Sequence, residues 1–193
     1  MKKFEQIILF TFVISGVLSF YLMPIASLVF TASASVLAII YIGFNVLVFS
    51  NKSVKQIFNV EVLYEARKNF LNRLTGYALS IAVVGIMFYI LSWPGEKMML
   101  LFGWVSLSIV SFLIFKKHAK NNNEETSNTL KHTLCLAFVS LILWTIPVDK
   151  YLELKYRSYP SYFEALKNYN KDPSNKQYQE RLKEERQLMY FSK

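Results

Sequence analysis

Cysteine, histidine and charge are all scarce in this chain of 193 residues. The single cysteine, Cys135, lies in an apolar run and excludes an internal disulfide. It is expected to be a buried small hydrophobe. The two histidines, His118 and His132, have no Cys, Asp or further His at metal-ligand spacing, so no metal site is expected. With six glycines there is no Gly-rich phosphate loop, and neither G-x-S-x-G nor H-E-x-x-H occurs. No catalytic residue and no cofactor is expected.

Charged residues make up 18% of the chain, against about 25% in an average soluble domain. Their distribution is decisive. Gln6 to Asn51 contains no Asp, Glu, Lys or Arg over 46 residues; 22 more follow from Leu74 to Gly95, 18 from Met98 to Phe115 and 16 from Thr133 to Val148. A hydrocarbon core takes about 20 apolar residues per helix. A soluble fold, a secreted disulfide scaffold and a disordered tail are therefore excluded. The start Met1-Lys2-Lys3-Phe4 imitates a signal peptide, but the apolar run continues to Phe49 where a mature polar domain would begin, so the first span is expected to be retained.

The expected fold is all-α: a polytopic membrane helix bundle of about five spans, with four as the alternative, a cytoplasmic amphipathic helix and a C-terminal extramembrane helical tail. Residues 1–148 form the transmembrane domain and 149–193 the tail. Pro24 divides the first long run, giving spans at about 7–23 and 25–49. Pro94-Gly95 closes a span at 74–93, and two more follow at 98–115 and 133–148. These boundaries leave no ionisable residue inside a span. The strongest polar side chain within them is Asn45, a candidate interhelical hydrogen-bonding group.

Basic residues set the orientation. Lys2, Lys3, Lys52, Lys55, Arg67, Lys68, Arg73, Lys116, Lys117, Lys120 and Lys131 fall on one side and Lys97 alone in the short turns opposite. Positive-inside bias then puts the N-terminus in the cytoplasm and the C-terminus outside. The expected location is the inner (plasma) membrane of a bacterium. The net charge of +9 follows from this bias together with the tail and implies no nucleic acid.

Between the second and third spans, Ile57, Val60, Tyr64 and Leu71 share one helical face opposite Glu61, Glu65 and Lys68. This predicts an interfacial amphipathic helix beginning near the capping-box pair Ser53 and Gln56. The polar loop from Lys116 to His132 reads as a mobile connection.

Tight packing is expected from small residues: Ser27, Thr31 and Ser35 with Ala34 and Ala38 beside them on the second span, and Gly76, Ala78, Ser80, Ala82 and Gly85 on the third. The tail holds nine aromatics, including seven of the twelve tyrosines. Ser161 and Glu164 predict one short helix near 161–169. Asp172-Pro173 predicts a longer one near 173–189, whose stripe Tyr178, Leu182 and Met189 is a candidate partner contact. The expected function is a non-enzymatic subunit, assembly factor or scaffold of a membrane complex, in contact with lipid and with other membrane subunits. The alternative is a small transporter or lipid-handling protein.

Overall fold

The computed structural model describes residues 2–20, 24–44, 70–93, 95–120 and 124–191. Among these residues there are eight helices and no strand. In chain order they are α1 (Lys2–Phe20), α2 (Pro24–Phe44), α3 (Phe70–Leu91), α4 (Glu96–Lys120), α5 (Glu124–Thr145), α6 (Val148–Lys155), α7 (Pro160–Lys171) and α8 (Lys176–Phe191). Contacts divide the chain into two compact units, Met1–Thr145 and Ile146–Lys193.

Among the described residues three helices are long and apolar enough to cross a membrane: α2 over Ile25–Gly43, α3 over Phe70–Leu91 and α4 over Glu96–Ala119. A fourth qualifies if Thr126–Thr145 and Val148–Lys155 count as one broken span. The described residues thus support three to four spans and do not confirm the expected count of about five. The apolar part of α1, Glu5–Ser19, is shorter than these three. At 1.5 Å per residue such a piece covers roughly 22 Å of a core about 30 Å thick. In α5 the first nine residues carry Glu124, Glu125, Lys131 and His132, which leaves a short apolar remainder.

Each long helix of the first unit packs on the next, and α3 also touches α1 and α5. The apolar stretch of α3 is the most buried of the three, 61% against 44% in α2 and 33% in α4, although it is not the most apolar. Thr75, Gly76, Ala78, Leu79, Ala82, Val83, Ile86 and Tyr89 are all buried on it. Small residues set the spacing. A Cβ on Gly85 would stand 2.8 Å from the Met99 carbonyl oxygen, so α3 and α4 approach backbone to backbone there. On α1, Gly16 makes room for Phe30 of α2, whose ring stacks on Phe12 with centroids 4.8 Å apart. The α3–α4 turn takes left-handed backbone at Ser92 and Gly95, and the Trp93 N–H donates to the Phe88 carbonyl.

Two readings of the sequence change here. The segment Lys116–His132 is mostly helical, belonging to the end of α4 and the start of α5, while 121–123 lie outside the described residues. Its polarity marks helix ends rather than a loop. The hydroxyl series on α2 is not its buried face: Thr31 and Ser35 donate to the carbonyls of Ser27 and Thr31 and are half-buried or exposed, while Ala26, Phe30, Ala34, Leu37 and Tyr41 are buried.

In the second unit, α7 packs against both α6 and α8. Its buried apolar side chains are Leu152, Tyr162, Ala165, Leu182 and Met189. The start of α8 is later than Asp172-Pro173 suggests. Asp172 instead closes a turn, accepting from the backbone N–H and the hydroxyl of Ser174. Asn175 then accepts from the Gln177 N–H at 3.0 Å, the bond expected of an N-cap.

Candidate functional site

The first unit contains an acid that the sequence boundaries leave outside the membrane. Because α1 begins at Lys2, Glu5 lies within the helix, and at 1% exposure it is fully buried. Tyr41 of α2 is equally buried and donates its phenolic hydrogen to Glu5 Oε1 at 3.1 Å. Burying a carboxylate is expensive unless donors surround it. An ionisable group buried among helices apolar enough to cross a membrane is accordingly a functional candidate. The signal available in the sequence was positional: Glu5 and Tyr41 stand at opposite ends of an antiparallel helix pair, which brings them to one level.

At the α3–α4 turn, Lys97 joins three helices. Its ammonium donates to the Trp144 carbonyl at 2.7 Å, in the last turn of α5, and stands 5.4 Å from the centre of the Tyr89 ring. A cation at a helix C-terminus is favourable because the final carbonyls carry partial negative charge. Trp104 and Trp144 stack nearby with centroids 6.2 Å apart, and Phe88 meets Trp93 edge to face at 5.1 Å. Such a collar of indoles suits the boundary between lipid and water.

The second unit has a buried cation of its own. Lys155 at the end of α6 is almost fully covered, its ammonium 5.5 Å from the Tyr151 ring and 5.7 Å from the Tyr156 ring. Tyr156 in turn meets Tyr162 of α7 edge to face at 4.8 Å. Burial pushes the Lys155 amine down from 10.5 to about 8.

An apolar groove of about 620 Å³ runs between α1 and α2, lined by Phe10, Ile14, Leu18, Ile25 and Val29. Thr11 and Ser15 also border it, but their hydroxyls are bonded to the carbonyls of Ile7 and Thr11 within α1. The groove is therefore hydrocarbon in character.

Of the residues singled out from the sequence, Asn45, Ile57, Val60 and Tyr64 lie outside the described residues. Leu71 is half-buried in the first turn of α3. On α8, Tyr178 is half-buried, while Leu182 and Met189 are buried at 6% and 7% exposure. Cys135 is exposed on α5 rather than buried, because the buried stripe of that helix runs through Thr129, Thr133, Ala137 and Ser140. Among the described residues no three His, Cys, Asp or Glu side chains are grouped to hold a metal ion.

No protein-family model, curated protein or solved structure matches this chain.

Proposed function

We propose that this chain is a non-enzymatic integral protein of a bacterial inner membrane, acting as a subunit, assembly factor or scaffold of a larger membrane complex. In this reading α1 and α5 cross the membrane together with α2, α3 and α4. The N-terminus is cytoplasmic and the tail of residues 149–193 lies outside. Other subunits meet the bundle and the C-terminal unit, and no nucleic acid is involved.

The supporting observation is the surface of α8. Leu182 and Met189 are buried, whereas Leu188 and Phe191 of the same helix are exposed, Phe191 by 88%. An apolar pair left outward on an otherwise charged helix suits a contact with another chain.

The test has two parts. A reporter active only outside the cytoplasm, fused after Lys193, should be active, and the same reporter inserted at 121–123 should be silent. Equal activity at both places rejects the five-span arrangement. The double change Leu188→Asp and Phe191→Asp should leave the protein in the membrane but shift its complex to smaller size on a native gel. An unchanged complex rejects docking through α8.

A second reading, a small transporter or lipid-handling protein, is favoured by the buried Glu5–Tyr41 pair and by the apolar groove on α1 and α2. It predicts that removal of 173–193 leaves activity intact while Glu5→Ala abolishes it.

A further inference from the structure

The outer face of α4 combines an open apolar strip with a cationic end. Among the described helices apolar enough to cross a membrane, α4 is the least covered. Phe102, Val105, Ile109 and Phe112 are exposed on it, and the same spacing of three and four residues continues to Lys116 and Lys120. At 3.6 residues per turn these positions fall within an arc of about 80°. From Phe102 to Phe112 the strip runs about 15 Å, the depth of one leaflet of a hydrocarbon core about 30 Å thick.

Lys116 sets the character of the cationic end. Its ammonium stands 4.7 Å from the centre of the Phe112 ring, one turn back along the strip. A lysine that served only to reach water would extend its stem away from the hydrocarbon. Here the charge is held beside the last ring of the apolar strip instead. Lys117 is exposed in the same turn. With Lys120, these lysines outnumber Glu124 and Glu125, which open α5, and the next charge along α5 is Lys131.

We propose that this face of α4 binds one phospholipid with an anionic headgroup, its phosphate at Lys116 and an acyl chain along Phe112, Ile109 and Val105. The site rests on the reading of α4 as a membrane span. Charge complementarity selects the headgroup, because an acidic lipid gains an attraction to the lysines that a zwitterionic one largely forgoes. Bulk selects a lipid over another helix. Membrane helices approach one another closely through small residues. The strip carries large side chains, and the one glycine of α4, Gly103, is already packed against Ala82 of α3. A flexible hydrocarbon chain fits between the Phe102 and Phe112 rings, where a second backbone cannot come near.

The experiment uses the full chain in detergent, with native mass spectrometry counting retained lipids as phosphatidylglycerol or phosphatidylcholine of identical acyl chains is added. The wild type should hold one phosphatidylglycerol at least about fivefold more tightly than phosphatidylcholine. Lys116→Gln should weaken phosphatidylglycerol about fivefold and leave phosphatidylcholine unchanged. Lys131→Gln, which removes the same charge from the side of α5 opposite its buried Thr129 and Thr133, should change neither. Both lysines are exposed, so neither substitution opens the core. Equal wild-type affinity for the two lipids overturns the proposal, and so do equal losses from Lys116→Gln and Lys131→Gln. Alkaline extraction of the wild type from vesicles separates this site from the membrane reading beneath it. Protein that resists extraction yet shows no preference for phosphatidylglycerol defeats the lipid site alone, whereas protein released by alkali defeats both.

Discussion

Gly103 of α4 lies so close to Ala82 of α3 that a Cβ built on the glycine would stand 2.8 Å from the Ala82 Cα. The obstacle is backbone-attached carbon, not the flexible end of a side chain, so the two helices must separate to admit even a methyl group. Gly103→Ala should destabilise the bundle by about 1–3 kcal/mol. Gly43→Ala, with nothing within 4 Å of its Cβ position, should be neutral by comparison. Thermal unfolding of both variants in one detergent measures the contrast, and equal midpoints would remove the close-packing argument.

The bond between Tyr41 and Glu5 gives a second expectation. Tyr41→Phe keeps the ring and removes the donor, leaving a buried carboxyl oxygen short of one partner at a cost of about 1–3 kcal/mol. Tyr77→Phe, at an exposed position, is the matched control. If both phenylalanine variants unfold at the wild-type temperature, the phenol contributes nothing to holding α1 on α2.

Lys155 predicts a dependence on pH. Its amine is pushed down to about 8 in the folded protein, while the unfolded chain keeps the usual 10.5. Between those values the unfolded state binds more protons, so stability rises with pH across that window, by up to about 3 kcal/mol for the whole shift. Below pH 8 the cost of burying the charge is fully present, reduced by attraction to the tyrosine rings. Near-ultraviolet circular dichroism of denaturant melts at pH 7.5 and 9.5 should show the wild type gaining about 2 kcal/mol relative to Lys155→Met. Parallel behaviour of the two proteins would mean that the amine is not desolvated.

Lys97 ties the end of α5 to the α3–α4 turn. Lys97→Met keeps the aliphatic stem but loses the bond to the Trp144 carbonyl, and should cost about 1 kcal/mol. Lys97→Arg should restore most of that loss. The comparison is read from the melting temperatures of the three proteins, and a methionine variant as stable as wild type would reduce the contact to surface decoration.

The long uncharged runs marked α2, α3 and α4 directly, because hydropathy acts residue by residue and needs no knowledge of partners. What they concealed was where the helices begin. Glu5, Arg73, Glu96 and Lys131 sit inside helices that extend beyond the uncharged runs. Charge ends an apolar run, but it does not end a helix while backbone hydrogen bonds continue and neighbouring helices supply partners. The Glu5–Tyr41 contact was hidden for the same reason, being separated by 36 positions in the chain. In the tail, the stripe of Tyr178, Leu182 and Met189 was visible from its spacing. That Leu182 and Met189 are covered while Leu188 and Phe191 are not depends on packing within the unit, which no periodicity of α8 alone contains.

The central place of α3 has a consequence for biogenesis. Helices leave the ribosome in order, and each of the five long ones packs on the one made just before it. The α1–α2 hairpin can therefore form early, yet Leu37, Ala38 and Tyr41 belong to an interior that α3 must help to close. A chain halted before Phe70 would present that unfinished surface to the insertion machinery. Arrival of α3 would then be the moment at which the nascent protein ceases to be a substrate for membrane chaperones and proteases, with α4 and α5 added to a committed core.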